Sequence, residues 1–232
     1  MNVNTDKFLF LIGGNPSIDE VAEQFISRAG GSNAIIALLL LYREGWEEYL
    51  PRYVDPWIKR NIKKYYVIMP DQIGRLDNES VINKLRKATG IFIGGGNTLL
   101  YNAYYSSEPI RNIIHERYNN GVPIAGNSAG ALIMPKICLV SPNDTDDGFM
   151  RIEEGLGLFN NMLVSVHLSK WNDSSNLVEG MIKTKTEIGW GIDDNACLVL
   201  KNGDFNNVIG ESVYKIKIED FELQTYDITT IK

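Results

Sequence analysis

The stretch VPIAGNSAGALI, residues 122–133, determines how the rest of the sequence is interpreted. It begins with an apolar run typical of a buried strand and ends with small and apolar residues that favour a helix. Between them, residues 126–130 fit the pattern G-x-S-x-G. A strand, a sharp turn at a serine and a helix form the nucleophile elbow of α/β hydrolases. The stretch therefore predicts an α/β protein with Ser128 as its nucleophile.

The neighbours of Ser128 fit such an elbow. The residues two before and two after the serine pass close together, and Gly126 and Gly130 are small enough for this. The N–H of Ala129 would lie at the start of the helix, where backbone N–H groups and the helix dipole favour developing negative charge. Ala129 is therefore the predicted first donor of an oxyanion hole. A chance match in a glycine-rich turn is the alternative, which the strand-to-helix position disfavours.

The residues before the elbow alternate short apolar runs with helix-like stretches. Strands are predicted at residues 8–12, 33–42, 65–69, 90–93 and 122–125. This alternation predicts right-handed crossovers and a three-layer α/β fold, in which helices cover both faces of a mostly parallel sheet. The shorter runs after Pro135 predict an antiparallel or hairpin edge that completes the sheet. With no internal repeat and no linker, residues 1–232 are expected to form one domain.

A second glycine-rich turn, residues 94–98 (GGGNT), also follows a strand and begins a helix. Such a turn can present N–H groups to an anion, but neither G-x-x-x-x-G-K-[ST] nor G-x-G-x-x-G is present. The second oxyanion donor is therefore expected at Gly95 or Gly96. Asn97 would cap the helix and could also contact substrate. A glycine-rich turn with no ligand is the alternative.

The sequence contains two histidines as candidates for a general base. His115 stands among charged neighbours on a predicted helix and is expected at the surface. His167 ends the predicted strand 162–166, at a junction where open α/β sheets collect their ligand-binding groups. We therefore predict that His167 is the base that takes the proton of Ser128. A purely structural histidine at a strand end is the alternative.

The acid that would orient His167 has candidates in two clusters. Asp144, Asp146 and Asp147 precede the histidine, whereas Asp193 and Asp194 follow it. Because Asp is also common in turns for its own hydrogen bonding, the residues by themselves do not choose between the clusters. Neither cluster has the spacing of a calcium-binding EF-hand loop.

Composition limits the class of protein. The net charge of −6 disfavours nucleic acid as a partner. The two cysteines, at positions 138 and 197, fit a reducing compartment and form neither a zinc nor a disulfide pattern. Residues 1–7 lack a basic cluster and the apolar run that follows is short, so we expect a cytoplasmic protein without membrane association. A serine mechanism requires no metal or organic cofactor, so none is expected. The Trp- and Tyr-containing residues 46–57 fit packed core or, alternatively, the face of a homodimer.

Four motifs together resemble the dipeptidase E and cyanophycinase family of serine peptidases. They are GGGNT at 94–98, GNSAGA at 126–131, the strand-end His167 and GWGIDDNA at 189–196, within a resemblance spanning roughly residues 8–214. The resemblance implies a fold similar to that of class I glutamine amidotransferases, which carry Cys where this chain has Ser128. It also implies a Ser-His-Asp triad whose acid is Asp144, sixteen residues after the serine.

The same resemblance implies a small peptide as substrate. Members of this kind cleave dipeptides with an N-terminal aspartate, or the aspartyl–arginine branches of cyanophycin. Aspartyl dipeptidases place an arginine after the catalytic histidine, but residues 168–183 contain none. Lys170 is the nearest cation and is expected to bind substrate, although a lysine lacks the bidentate fork of arginine. Esterase or amidase activity, cyanophycinase-like activity and a non-catalytic binding role are the alternatives.

Overall fold

The computed structural model describes residues 5–232. Residues 1–4, on which the prediction about the N-terminus partly rests, lie outside the described residues. The strands in this part of the chain are β1 (Phe8–Ile12), β2 (Ile35–Leu39), β3 (Lys64–Ile68), β4 (Gly90–Ile93), β5 (Ile124–Asn127), β6 (Ile137–Val140), β7 (Arg151–Glu154), β8 (Met162–Val166), β9 (Ile188–Ile192), β10 (Ala196–Lys201), β11 (Asp204–Gly210), β12 (Val213–Asp220) and β13 (Thr225–Ile231).

Helices connect the strands. They are α1 (Asp19–Arg28), α2 (Trp46–Tyr49), α3 (Pro51–Ile58), α4 (Glu79–Lys87), α5 (Thr98–Tyr105), α6 (Ile110–Asn119), α7 (Ala129–Leu132), α8 (Leu168–Trp171) and α9 (Ser174–Thr184). Asn78 begins α4 and Asn97 begins α5, each accepting a hydrogen bond from a backbone N–H three residues on. Within residues 5–232, no helix is both long and apolar enough to cross a membrane.

Seven strands form the central sheet, in the order β11-β10-β1-β5-β4-β2-β3. The five strands from β1 to β3 in this order pair in parallel, whereas β10 pairs antiparallel with both β1 and β11. A parallel sheet covered on both faces needs apolar residues throughout its strands, as in the IIALL sequence of β2. The predicted mostly parallel sheet with an antiparallel edge is confirmed.

The sheet separates two apolar cores because consecutive strand residues point to opposite faces. On one face Leu9 packs in the cluster that contains Ile114 of α6. On the other face its neighbour Phe10 packs with Phe25 of α1 and Trp57 of α3. Trp57 is only 1% exposed, so this part of residues 46–57 is packed core.

The C-terminal strands depart from the prediction that they complete the main sheet. Only β10 and β11 do so, while β12 and β13 belong to a second sheet of order β13-β12-β9-β8. Gly210 lies where the chain leaves the first sheet, with a φ of 86°. A Cβ there would lie 2.1 Å from the carbonyl oxygen of Asn195, so the turn requires glycine. This second sheet packs against α9 and supplies β8 and β9 to the site.

Candidate active site

Ser128 occupies a strained turn between β5 and α7. Its φ of 52° and ψ of −113° lie in a region that residues with a side chain rarely adopt. The turn is held by its own backbone: the Ser128 N–H donates to the carbonyl of Ile12 at 2.9 Å, and its carbonyl accepts from the N–H of Ala131 at 2.8 Å. The elbow predicted from the sequence is therefore present.

The two glycines of the elbow lie where no side chain fits. A Cβ on Gly126 would lie 2.4 Å from the carbonyl carbon of Gly130. A Cβ on Gly130 would lie 2.3 Å from the carbonyl oxygen of Ile93, at the end of β4. Both clashes involve backbone atoms, which cannot move as a flexible side chain can. The close packing of β5, α7 and β4 thus depends on glycine at these two positions.

His167 lies at the end of β8 and faces the serine. Its Nε2 is 3.0 Å from the Oγ of Ser128. The imidazole packs against the ring of Trp171, with centroids 4.4 Å apart. On another side it lies so close to Gly14 that a Cβ there would be 2.5 Å from His167 Cε1. The ring is thus confined at hydrogen-bond distance from the Ser128 hydroxyl.

The second ring nitrogen of His167 bonds to Asp194, which follows β9. The Nδ1 atom and the Oδ1 of Asp194 form a short hydrogen bond, and Lys170 Nζ lies 3.3 Å from Oδ2. Burial opposes ionisation of this carboxyl, but His167 and Lys170 outweigh it, so the pKa of Asp194 lies below its ordinary value. Ser128, His167 and Asp194 therefore form one continuous hydrogen-bonded series.

Asp144 does not occupy this position, contrary to the prediction. It lies in a short turn after β6, and the structure shows no hydrogen bond between it and His167. Burial raises the pKa of Asp144, while the backbone and side chain of Thr98 lower it to a smaller extent. Asp147 pairs with Arg151 at the surface. The acidic cluster before the histidine is thus not the hydrogen-bond partner of the imidazole.

Asp193, the neighbour of Asp194, has a different set of contacts. It accepts hydrogen bonds from the N–H of Ser169 at 2.9 Å and from its hydroxyl at 3.0 Å. These bonds fix the first turn of α8, which directly follows His167. His167 and Asp194 each follow a strand, and β8 and β9 are parallel neighbours whose carboxyl ends meet, a pairing that only the folded structure reveals.

The predicted oxyanion donors differ in what they contact. The Gly95 N–H donates to the hydroxyl of Tyr53 at 3.1 Å. The Ala129 N–H stands at the first position of α7, where a helix offers no acceptor of its own. Gly96, with a φ of 154°, lines the same cavity as Ser128. The Gly95 N–H therefore already has a partner within the protein, and Ala129 and Gly96 are the remaining candidates among the predicted donors.

Tyr53 is a site residue that the sequence did not reveal. It lies in α3, is 2% exposed and lines the cavity that contains Ser128. Burial is the main cause that raises the pKa of Tyr53, to about 12. The phenol is therefore neutral at physiological pH, and its oxygen remains free to accept from Gly95. Only spatial packing relates α3 to the glycine turn, so no local sequence pattern could have predicted the contact.

The remaining predicted residues are placed as follows. Asn97 accepts a hydrogen bond from the N–H of Leu100 at 2.9 Å and caps α5 as predicted. Lys170 is 64% exposed and contacts the carboxylate of Asp194. His115 lies away from these groups, partly buried, with its Nε2 2.6 Å from the carbonyl oxygen of Leu156. Among residues 5–232, no cluster of His, Cys, Asp and Glu side chains could hold a metal ion.

Ser128 lines a cavity of about 180 Å³, which we call the catalytic cavity. Ser128, His167 and the glycines Gly95 and Gly96 all line it. Arg43, from the loop after β2, also lines this cavity, which the sequence did not predict. The residues around this space are Gly14, Arg43, Tyr49, Tyr53, Gly95, Gly96, Asn127, Ser128 and His167.

Sequence comparisons identify similar proteins. A family model of peptidase family S51 matches residues 71–208. The cyanophycinase of Trichormus variabilis is 24% identical over 196 residues, which cover 83% of this chain and 66% of that protein. Peptidase E of Haemophilus influenzae is 28% identical over 153 residues, covering 63% of this chain and 64% of that protein. The chain therefore spans about two thirds of the length of these relatives.

Solved structures share the fold. The crystal structure of a peptidase from an acI-B1 Actinobacterium superposes with a TM-score of 0.73 at 19% identity, covering 91% of both chains. A putative peptidase E from Listeria monocytogenes gives a TM-score of 0.64 at 17% identity, covering 89% of this chain and 98% of that one. The predicted fold class and the predicted resemblance to dipeptidase E and cyanophycinase are confirmed. The chain belongs to peptidase family S51.

Proposed function

We propose that this chain is a serine peptidase that hydrolyses small peptides through an acyl-enzyme. The observation that carries the proposal is the hydrogen-bonded series from the Ser128 hydroxyl through His167 to Asp194. A base at hydrogen-bond distance from a hydroxyl, itself oriented by a carboxylate, is the arrangement that activates a serine for attack on a carbonyl.

The proposed reaction follows from the placement of these groups. His167 Nε2 accepts the hydroxyl proton as Ser128 Oγ forms a bond to the scissile carbonyl carbon. Asp194 keeps the other ring proton on Nδ1 and stabilises the imidazolium. The N–H groups of Ala129 and Gly96 donate to the oxyanion, and the Tyr53 contact holds the adjacent Gly95 in place.

Collapse of the tetrahedral intermediate then separates the two products. His167 gives its proton to the departing amine as the C–N bond breaks, leaving the acyl group on Ser128. Water attacks this ester with His167 again as base, which releases the carboxylic acid and restores the serine. The chain's own residues supply every proton transfer in this sequence.

For the substrate we propose a small peptide with an aspartyl residue at the scissile bond. The relatives named cyanophycinase and Peptidase E support a peptide or amide substrate. The volume of the catalytic cavity, about 180 Å³, favours a small substrate. Arg43 in its wall and Lys170 near Asp194 supply the positive charge that an aspartyl carboxylate requires. A dipeptide with N-terminal aspartate meets these conditions.

The test combines covalent labelling with a peptide panel. We expect a fluorophosphonate to label Ser128, and we expect the wild type to cleave α-Asp-Leu in preference to Ala-Leu. Ser128→Ala should abolish labelling and lower turnover by about 10³-fold or more. Ser27→Ala, which changes an exposed serine on α1, is the matched control and should leave both unchanged.

Each alternative gives a distinct result in this panel. Cleavage confined to β-Asp-Arg would support cyanophycinase-like activity, and cleavage confined to simple esters would support an esterase. If Ser128 is neither labelled nor required for any cleavage, the proposed mechanism is wrong and a binding role gains support.

A further inference from the structure

A second cavity, of about 250 Å³, adjoins the catalytic cavity. We call it the aromatic pocket. Its side chains are mostly apolar or aromatic and include Leu40, Trp46, Tyr49, Tyr53, Leu100 and Tyr101. A site built in this way favours a large apolar group over a polar one.

The two cavities share part of their walls. Tyr49, Tyr53, Gly95 and Gly96 line both, so a substrate whose carbonyl lies at Ser128 can extend past the glycine turn into the aromatic pocket. Leu100, on α5, is 50% exposed and offers apolar surface there. The pocket is therefore adjacent to the reacting atoms and open to the same ligand.

Arg43 also lines both cavities. Its guanidinium lies 4.8 Å from the ring centroid of Tyr49, a cation–π contact. Within the described part of the chain, no carboxylate forms an ion pair with Arg43. Its positive charge acts on the buried hydroxyl of Tyr53, where it opposes the rise in pKa caused by burial. Arg43 thus lines both cavities, and no carboxylate of the described residues neutralises its charge.

We propose that the substrate carries a carboxylate that pairs with Arg43 and, next to it, a large apolar or aromatic side chain that enters the aromatic pocket. This inference rests on the proposed peptidase function and names the substrate class of that same site. The planar guanidinium binds a carboxylate through two parallel hydrogen bonds. A peptide with arginine in this position would bring a second guanidinium against Arg43, so like-charge repulsion disfavours it.

The carboxylate has two chemical sources in a dipeptide such as Asp-Phe. One is the free C-terminus beside the aromatic side chain, and the other is the aspartate side chain. Four substrates separate them: Asp-Phe, Asp-Phe-amide, Asn-Phe and Asn-Phe-amide. The quantity measured is kcat/KM for each substrate with wild type and variants.

Arg43→Gln should reduce the preference for the carboxylate-bearing substrate about ten- to a hundredfold, because a charged hydrogen-bonded pair is lost. The matched control is Arg52→Gln. Arg52 also lies 4.8 Å from the ring centroid of Tyr49, but it lines neither cavity. It should behave as wild type. Arg43→Lys, which keeps the charge and loses the fork, should recover part of the preference.

The apolar half of the proposal has its own measurement. Wild type should prefer Asp-Phe to both Asp-Ala and Asp-Arg. Leu100→Ala should lower the preference for Asp-Phe over Asp-Ala roughly three- to tenfold, because the half-exposed Leu100 offers apolar surface to the phenyl ring.

These outcomes decide the inference separately from the proposed function. Loss of preference in Arg43→Gln for either the terminal or the side-chain carboxylate supports it and identifies the source. Full preference retained in Arg43→Gln, or an equal loss in Arg52→Gln, overturns it. Fluorophosphonate labelling of Ser128 is measured in every variant. Labelling without any Arg43 effect would contradict only this inference, whereas no labelling of wild type would contradict the peptidase function itself.

Discussion

The two sheets of the molecule make different contributions to the site. The seven-stranded sheet supplies Ser128 after β5 and the glycine turn after β4. The second sheet supplies the histidine after β8 and the aspartate after β9. In both sheets the contributing strands are parallel, so their carboxyl ends meet at one edge.

The two sheets differ in the kind of contact that holds their site residues in position. Ser128 is positioned by backbone contacts of the elbow glycines that tolerate no added atoms, such as the approach of Gly130 to Ile93. His167 and Asp194 are positioned by side-chain hydrogen bonds and ring packing. We therefore expect substitutions in the first group to disturb both folding and turnover, and those in the second group to affect mainly turnover.

The largest expected effect is at the acid of the second sheet. Asp194→Asn should lower kcat by about 10³- to 10⁴-fold, because the amide no longer holds His167 in the required tautomer. Asp144→Asn should stay within about threefold of wild type, since Asp144 does not bond to the imidazole. The measurement is kcat on the best dipeptide. Equal losses in the two variants would contradict the assignment of Asp194.

This pair of acids shows what the sequence could and could not predict. Ser128, Gly126 and Gly130 were predictable because an elbow is a local pattern, read within five residues. His167 was predictable because it ends an apolar strand. The choice between Asp144 and Asp194 depends on which strands pair, since β9 lies beside β8 only in the folded protein. The resemblance to the family pointed to Asp144, sixteen residues after the serine, where the structure has a turn facing Thr98.

The contacts of Arg43 and Tyr53 could not be predicted from the sequence. Both residues come from the region between β2 and β3, more than seventy positions before the nucleophile. Nothing local distinguishes Tyr53 from the other tyrosines of this chain. Its role follows from the packing of α3 against the glycine turn. The sequence therefore predicts the parts of the site that a single local turn forms. It does not predict the parts that depend on packing between elements distant in the sequence.

The next largest effect is expected in the first sheet. Gly130→Ala places a Cβ 2.3 Å from the carbonyl oxygen of Ile93, so the elbow must shift. We expect a loss of about 1–3 kcal/mol in the free energy of unfolding and, because a displacement of about 1 Å misplaces the nucleophile, about a hundredfold lower turnover. Denaturant unfolding and peptide hydrolysis measure the two effects.

A glycine outside the site provides the control for Gly130. Gly148 has a φ of 70°, and a Cβ there would meet nothing within 4 Å. Gly148→Ala should cost about 1–2 kcal/mol through its backbone conformation alone and leave turnover unchanged. Normal turnover in Gly130→Ala would contradict the view that the elbow depends on this close approach.

A smaller effect is expected where α3 supports the glycine turn. Tyr53→Phe removes the acceptor of the Gly95 N–H while keeping the buried ring. We expect about 1 kcal/mol less stability and, because the adjacent Gly96 donor becomes less well placed, about tenfold lower kcat. Tyr49→Phe is the control, since this ring lines the same cavity and the described structure shows no hydrogen bond to Gly95 from it. Similar kinetics for the two variants would show that the Tyr53 hydroxyl does not support the oxyanion donors.

The smallest effect concerns the charge around Asp194. Its folded-state pKa is lowered, in part by Lys170, so its contribution to stability is complete above about pH 4 and is lost as the pH falls through the folded value. Lys170→Gln raises that pKa toward its ordinary value, and the acid midpoint of unfolding should move to higher pH by a few tenths of a unit. Lys183→Gln removes the same charge from an exposed pair with Glu179 on α9, so it controls for net charge. Acid titration monitored by tryptophan fluorescence compares the two variants. If the two variants unfold at the same acid midpoint, Lys170 does not stabilise the ionised form of Asp194. His167 is then the remaining cause of its lowered pKa.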